Sequence, residues 1–331
     1  MSASINSPID LSLYITGAQL VICLFCQAFV LIQTSRTLWH VIKGSAERKQ
    51  LSPFLIALLA IWLSISISII PYLVYAIILW RPVPELAGDL RNSYLLFWMG
   101  FPVVAPMAVV SIVVAFLTLD RILVLKLLQN YSPRQRKRLF NVFLVVTSVY
   151  SIGHYINYLN ALKYMPPKAE RTTTSLREEV QSLENYTISR IVVAVINFFL
   201  GLTFFILLYR HNYDGQAGNS VIYDTPGTRQ RRAINKINNQ LAVFSILSEV
   251  TLGFLNHLLP ILVQVILEVN ITAILGPYTL TGASIDAAIY SIIYSRSLIR
   301  AEKASKAVGL MASNSAHNIQ LNRHQSKNAS N

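Results

Sequence analysis

The chain of 331 residues is long enough for one large domain or two ordinary ones, but hydrophobic residues make up 53% of it and charged residues only 13%. Soluble domains carry about a quarter charged residues, so most of this surface is not expected to face water. The net charge of +13 therefore favours a membrane protein with Lys and Arg on one side over a nucleic-acid-binding protein. Both cysteines, Cys23 and Cys26, lie in the first apolar segment, which excludes a disulfide framework. No cleavable signal peptide is expected, because the polar N-terminus lacks a basic segment.

Seven apolar segments are long enough to cross a bilayer, since a transmembrane helix needs about 20 residues. In chain order they are residues 11–33, 53–80, 94–119, 139–162, 188–209, 241–267 and 271–294. The predicted fold is therefore an all-α, integral membrane bundle of seven transmembrane helices, which occupies residues 1–300.

The distribution of Lys and Arg predicts the orientation of this bundle, because cytoplasmic segments carry an excess of both residues. With the N-terminus outside, 21 of the 28 basic residues fall on the inner side and 7 on the outer side. The sequons that begin at Asn185 and Asn270 then lie outside, and Asn185 is the candidate glycosylation site. We therefore predict an outer N-terminus and an inner C-terminus.

At the end of the third apolar segment an acid and a base, Asp120 and Arg121, follow a run without charged residues, 92–119. The pair has two interpretations: an interfacial ion pair whose side chains reach water, or a pair that takes part in function. A basic cluster follows it, and as exposed charges near an anionic leaflet its members are expected to contribute weakly. This cluster consists of Arg134, Arg136, Lys137 and Arg138.

Helices six and seven carry acids deep in apolar segments. Glu249 and Asp286 lie about 12 Å inside the cytoplasmic ends of their helices, either as a coupled pair or with one facing a wet crevice. Tyr290 follows Asp286 by four residues in "DAAIY". In "FLNHLLP", Phe254 lies six residues before Pro260, which must weaken the hydrogen bonding of helix six.

The segment after helix seven, "SRSLIRAEK", places Arg296, Arg300 and Lys303 at helical spacing with apolar residues between them. This pattern predicts a short amphipathic helix on the inner leaflet. Residues 301–331 are poor in aromatics and rich in Ser, Asn and Lys, so we expect a disordered cytoplasmic tail.

In these motifs the chain resembles the rhodopsin-like G-protein-coupled receptors. The "LDRI" string at 119–122 stands where that family has its Asp-Arg-Tyr motif, and "DAAIY" is similar to its Asn/Asp-Pro-x-x-Tyr motif with Ala287 in place of proline. Phe254 and Pro260 match the family's pattern in helix six, although Leu258 stands where its tryptophan usually is. The eroded motifs are most similar to those of the nematode serpentine chemoreceptors.

The chain also departs from that family. Helix two lacks the family's buried Asp, which puts its sodium site in doubt, and the cysteines of its usual disulfide are absent. Helix five has no proline, and helix one lacks the usual Asn.

The resemblance implies a chemosensory receptor in the plasma membrane, such as that of a sensory cilium, which binds a small ligand from outside and activates a heterotrimeric G protein. It implies a signalling switch made of Asp120, Arg121, Glu249, Phe254, Pro260, Asp286 and Tyr290. No cofactor, metal or catalytic activity is expected, because the sequence contains no phosphate-binding loop, metal-ligand cluster or nucleophile motif.

The alternative is a seven-helix transporter or a ligand-gated chemoreceptor channel. Chemoreceptor channels of the insect type have the opposite orientation, which the distribution of basic residues opposes. A transporter should show internal repeats and more charge at the midplane, and the sequence shows neither.

A ligand pocket is expected to open outward between the helices. Its candidate residues are the polar and aromatic ones in the outer halves: Tyr75, Trp98, Phe101, His154, Tyr158, Asn197, Asn256, His257 and Tyr278. Aromatic side chains at helical spacing equally fit packing between helices, whereas an imidazole in an apolar span needs a hydrogen-bond partner. The only acid in an outer half is Glu268 at the rim, which favours a neutral or weakly polar ligand.

Overall fold

A computed structural model of the protein describes residues 11–43, 52–79, 93–127, 131–161, 183–217, 226–254, 266, 278 and 280–299. These residues are helical apart from the few that directly precede two of the helices, which agrees with the predicted all-α class. The helices are α1 (Leu11–Lys43), α2 (Pro53–Leu79), α3 (Ser93–Leu127), α4 (Pro133–Ala161), α5 (Leu183–Ala217), α6 (Pro226–Ser248) and α7 (280–299). A π-helix, Glu249–Phe254, directly follows α6.

Five of these helices are long and apolar enough to cross a membrane. The candidate spans are Tyr14–Lys43, Pro53–Ile78, Phe97–Leu127, Pro133–Asn160 and Ile188–His211. They are consistent with a multi-pass membrane protein in contact with lipid. The predicted sixth and seventh spans include residues outside the described ranges.

The helices extend beyond the apolar runs from which they were predicted. At 33 residues, α1 is about 50 Å long, whereas the hydrocarbon core of a bilayer is about 30 Å thick. The third helix continues through Asp120 and Arg121 to Leu127, so the pair is not at its end, as the sequence suggested, but about two turns inside it. The end of an apolar run predicts where a helix reaches water, but the backbone hydrogen bonds of the helix continue beyond that point.

The third helix is the centre of the bundle. It packs against α2, α4, α5 and α6, and 61% of its most apolar window is buried, compared with 11% for α4. Val109, Val113 and Leu117 recur at helical spacing and are almost completely buried. Because lipid is as apolar as these side chains, they stabilise the bundle mainly through close packing.

The outer faces of α4 and α5 remain apolar and exposed. Val145 and Val149 on α4 are 63% and 67% exposed, and Phe199 on α5 is 61% exposed. Such faces are costly in water and favourable in lipid, as expected for helices at the periphery of a membrane bundle.

Polar side chains link α1 to α2 and α7 across the bundle. The Gln27 amide donates to the Ser284 hydroxyl at 3.0 Å and accepts from the Ser66 hydroxyl at 2.8 Å. One turn earlier, the Cys23 thiol donates to the hydroxyl of Thr281 at 3.4 Å. Gln27 and both serines are buried, so hydrogen bonds inside the bundle connect the three helices.

A close approach of α5 to α6 depends on Gly201. A methyl group added at Gly201 would lie 2.6 Å from Cγ2 of Ile246, whereas one added at Gly153 on α4 would meet nothing within 4 Å. We expect Gly201→Ala to destabilise the fold by about 1–3 kcal/mol through overpacking, partly offset by the better helix propensity of alanine. Thermal unfolding of the purified variant in detergent measures this effect.

The matched control is Gly153→Ala, which makes the same chemical change in open space and should leave the unfolding temperature unchanged or slightly higher. Ile246→Ala removes the opposing side chain beyond Cβ and is itself destabilising, so the double variant should lose less stability than the sum of the two single variants. Equal unfolding temperatures for the two glycine variants would show that α5 and α6 are not in close contact at this point.

Candidate functional site

Asp120 and Arg121 form an ion pair inside the bundle. The Arg121 guanidinium donates to Oδ2 of Asp120 through both Nε and Nη2, and both side chains are 0% exposed. The interpretation of an interfacial pair that reaches water is therefore wrong. Isolated charges at this depth are costly, so both depend on their partners.

Asp120 accepts five hydrogen bonds, from four residues. Besides the two from Arg121, its Oδ2 accepts one from the Ser52 hydroxyl at 2.9 Å. Its Oδ1 accepts from the Tyr131 phenol at 2.9 Å and from Nε of Arg136 at 3.3 Å. One carboxylate thus joins the residue before α2, the turn of α3 that carries Asp120 and Arg121, the residues before α4 and the first turn of α4. We call Asp120 and these four partners the Asp120 hub.

A capping box positions two members of the hub. Ser132 precedes Pro133, and its backbone N–H donates to the Gln135 side chain at 2.8 Å while the Gln135 N–H donates to the Ser132 hydroxyl at 3.3 Å. This reciprocal pair fixes the first turn of α4. Tyr131 directly before the cap and Arg136 directly after it are thereby held towards Asp120.

Arg136 differs from its basic neighbours. The sequence predicts that Arg136 is an exposed cation like Arg134, Lys137 and Arg138. In the structure its side chain is only 25% exposed and forms an ion pair with Asp120. The grouping is wrong for this residue, because the helix periodicity of α4 turns Arg136 towards α3 while the other three remain exposed. Its contact with Asp120 is shielded from solvent more than a surface pair would be.

The Tyr131 phenol remains a hydrogen-bond donor over the physiological range. Burial, and then the nearby Asp120 carboxylate, raise the pKa of Tyr131 above its ordinary value, because both disfavour a phenolate. The residue therefore supplies a neutral donor to the carboxylate, beside the two arginines.

One part of the Arg121 guanidinium has no partner among the described residues. Its Nη1 is buried and makes no hydrogen bond, whereas Nε and Nη2 both reach Asp120. An unpaired buried donor costs about 1–3 kcal/mol, and charged groups cost more. Such groups are rare in folded proteins and call for an explanation, which functional use can provide.

A second polar cluster connects α6 to α3 and α7. The Glu249 carboxyl accepts a hydrogen bond from the Ser111 hydroxyl, and the preceding Ser248 hydroxyl donates to Asp286. Both acids are buried, and they are close enough to interact electrostatically, as expected for acids at one depth on neighbouring helices. The Asn197 amide donates to the backbone carbonyl of Ser111 at 2.9 Å, which brings α5 to the same point.

The tyrosines of α7 contact α6 one turn below this cluster. The Tyr290 hydroxyl donates to the Ser245 carbonyl at 3.0 Å, and the Tyr294 hydroxyl lies 2.6 Å from the Ser245 hydroxyl. Trp62 of α2 and Phe244 of α6 pack on the Tyr290 ring at centroid distances of 6.0 and 5.0 Å. Tyr290 therefore faces the interior, where the sequence placed it.

The π-helix begins at Glu249, where these contacts meet. A π-turn widens the helix and occurs mostly as single turns at functional sites. Within it, the Thr251 hydroxyl donates to the Leu247 carbonyl at 2.8 Å. The structure therefore shows an irregular turn at Glu249–Phe254, six to eleven residues before Pro260. The sequence predicted the kink at Pro260 itself, which lies outside the described residues.

Three of the predicted pocket residues pack against one another between α3 and α4. Tyr158 is buried and stacks on Phe97 at 4.4 Å, and Phe101 lies 4.7 Å from the Tyr155 ring. Trp98 contacts Phe97 and Phe101 but is 50% exposed, so it does not face the bundle interior as predicted. These contacts fit packing between helices, the alternative interpretation of the same pattern.

His154 and Asn197 also have local partners. Nε2 of His154 lies 3.4 Å from the Ser189 hydroxyl, which accepts from the Tyr150 phenol at 3.1 Å. His154 is thus a buried residue between α4 and α5, and Asn197 contacts the second polar cluster through Ser111.

The remaining predicted residues are described in part or not at all. Tyr75 and Tyr278 are half-buried. The backbones of Phe254 and Asn185 are helical, but their side chains lie outside the described part of the structure, as do the whole of Asn256, His257 and Pro260.

Sequence reasoning missed Ser52, Tyr131 and Ser111, and misjudged Arg136. The Ser-Pro dipeptides before α2 and α4 and the glutamine at 135 were readable signals for helix starts. They predict where a helix begins, but not which buried carboxylate lies next to it.

Comparisons with known proteins add no family to this description. No protein-family model matches the sequence, and no match is found among curated proteins. The resemblance to rhodopsin-like receptors therefore depends on the residues of the site itself.

Proposed function

We propose that this protein is a seven-transmembrane chemosensory receptor of the rhodopsin-like type, similar to the nematode serpentine receptors. It binds a small, neutral or weakly polar ligand from outside and activates a heterotrimeric G protein at the plasma membrane. The proposal includes no catalytic activity and no cofactor.

The observation that carries the proposal is the state of Arg121. Its side chain is fully buried, two of its nitrogens are bound by Asp120, and the third is without a partner among the described residues. A structural cation would be expected to have all its donors satisfied. An arginine restrained by an acid and left with one unpaired nitrogen suits a group that changes partners when the bundle opens.

The Asp120 hub supports a resting state that α2 and α4 stabilise. Ser52, Tyr131 and Arg136 hold the carboxylate from outside α3, so Asp120 is fixed when Arg121 moves. Opening then requires only that Arg121 leave Asp120. A charge-assisted hydrogen bond of this kind contributes about 1.5–3 kcal/mol, which is large enough to set an equilibrium and small enough for a ligand to shift it.

The cluster around Glu249 supports a path from the ligand to this pair. Ser111 lies ten residues before Arg121 on the same helix and binds Glu249 at the first residue of the π-helix. A ligand that binds further out, against α5 or α6, would change the contact between Ser111 and Glu249. It can shift the equilibrium between the resting and open states only by binding one of them more tightly than the other.

The orientation gives the first test. We expect an epitope placed after Asn331 to be detected only in permeabilised cells, because most basic residues of the chain then face the cytoplasm. An epitope before Met1 is the matched control and should be detected on intact cells. The opposite labelling would rule out the receptor and would favour an inverted channel.

Function itself is tested by a screen of small neutral compounds on cells that express the chain, with G-protein activation as the readout. A compound that activates the wild type should have no effect on cells expressing Arg121→Ala at the same surface level. A response that is the same in both cell lines would not come from this switch.

A further inference from the structure

A cleft of about 580 Å³ opens between the last third of α5 and the middle of α6. Its apolar part is lined by Leu208 and Val243, and its polar part includes His211, Lys236 and three amide side chains, Asn239 among them. None of the described residues that line the cleft is acidic. It is separate from the Asp120 hub and from the acids of α6 and α7.

The cleft lies where the membrane-spanning part of α5 ends. The apolar run of α5 ends at Tyr209 and is followed by Arg210 and His211, so Leu208 is within the apolar run and the polar lining begins at its boundary. The cleft thus has apolar residues on its membrane side and polar residues beyond them. This order matches a phospholipid, in which the acyl chains join the headgroup at the membrane surface.

The polar lining specifies the headgroup. Lys236 is an exposed cation that can bind a phosphate, and basic residues at a membrane surface attract anionic lipids. The amide side chains of Asn235, Asn239 and Gln240 also line the cleft, and each amide can donate to and accept from a headgroup. A choline headgroup has no N–H or O–H to donate, whereas an inositol ring carries several hydroxyl groups.

We propose that this cleft binds an anionic phospholipid with a hydroxylated headgroup, of the phosphatidylinositol class. Its phosphate binds Lys236 with His211 nearby, and its headgroup hydroxyls form hydrogen bonds with the three amide side chains of the lining. The part of the acyl chains nearest the headgroup contacts Leu208 and Val243. The site goes beyond the proposed receptor function and does not depend on it. Placement in the inner leaflet follows from the proposed orientation.

The test is native mass spectrometry of the purified full-length protein in detergent, titrated with phosphatidylinositol or with phosphatidylcholine of the same acyl chains. We expect phosphatidylinositol to bind more tightly. Lys236→Gln should weaken phosphatidylinositol binding about fivefold, the effect of one basic residue at a membrane surface, and leave phosphatidylcholine binding unchanged. The measurement uses neither a receptor ligand nor a G protein. The lipid proposal can therefore fail while the receptor proposal holds, and the receptor proposal can fail while the lipid proposal holds.

The matched control is Lys126→Gln, which removes an exposed lysine from the last turn of α3, away from the cleft. It should not change phosphatidylinositol binding. Equal binding of the two lipids, or equal losses in the two lysine variants, would overturn the proposal. Competition by free inositol 1-phosphate at the same concentration as the lipid would also overturn it, since the ligand would then be a soluble phosphate.

Discussion

Replacing Asp120 by asparagine should raise basal G-protein activation in the absence of any ligand. Asparagine keeps the size of the side chain, and its single oxygen can still accept from either Ser52 or Tyr131, but the substitution removes the carboxylate that pairs with two cations. Arg136 is partly exposed and can turn to water, whereas Arg121 is fully buried. Arg121 is therefore the group that must find a new partner.

The size of the effect follows from the strength of the contact. Loss of about 1.5–3 kcal/mol from the resting state shifts the ratio of open to resting protein roughly ten- to hundredfold. Because an unpaired buried charge also destabilises the fold by about 3–5 kcal/mol, expression should fall, and signalling must be compared at matched surface levels.

Tyr131→Phe is the control for Asp120→Asn. It removes one hydrogen bond that a neutral donor makes to the same carboxylate and leaves both ion pairs intact. We expect a small increase in basal activation, clearly below that of Asp120→Asn. If neither variant exceeds the wild type, Asp120 does not restrain the switch.

Replacing Arg121 by alanine should reduce both basal and stimulated G-protein activation by roughly tenfold or more, because the charged group that meets the partner is gone. Asp120 retains Arg136, Ser52 and Tyr131 as donors, so no carboxylate is left unpaired. Ligand binding should persist, since α3 carries this residue about 15 Å below Ser111, which is nearer to the outer half. Activation is measured by nucleotide exchange on the G protein at matched receptor levels.

Arg136→Ala makes the same chemical change on the other side of the same carboxylate. It leaves the pair of Asp120 and Arg121 intact and removes a partly exposed contact, so stimulated activation should stay near the wild-type level. Equal losses in the two arginine variants would point to the overall positive charge at this end of the bundle, and not to Arg121.

The apolar runs predicted the helices well, because the length of a membrane span leaves few alternatives. The sequence also selected Asp120, Arg121, Glu249, Asp286 and Tyr290, all of which are buried. Charged and polar residues in apolar segments are rare enough to be recognised without a structure.

The partners of these residues could not be predicted in the same way. Ser52 and Tyr131 are ordinary polar residues near helix starts, and only the packing of α2 and α4 on α3 brings them to Asp120. The π-helix has no proline or other marker in "EVTLGF", so the sequence placed the irregularity at Pro260. The pocket residues on α3 and α4 were ambiguous because aromatic residues at helical spacing pack against helices as readily as against ligands.

The central claim is that Arg121 activates a G protein and that Asp120 restrains it. The most direct measurement is ligand-free nucleotide exchange on a panel of purified heterotrimeric G proteins, with the wild type, Asp120→Asn and the double variant Asp120→Asn with Arg121→Ala in the same lipid bilayers. We predict that at least one G protein exchanges faster with Asp120→Asn than with the wild type, and that the double variant returns the rate to that of the G protein alone. Equal rates in all three preparations, or a double variant as active as Asp120→Asn, would contradict the claim.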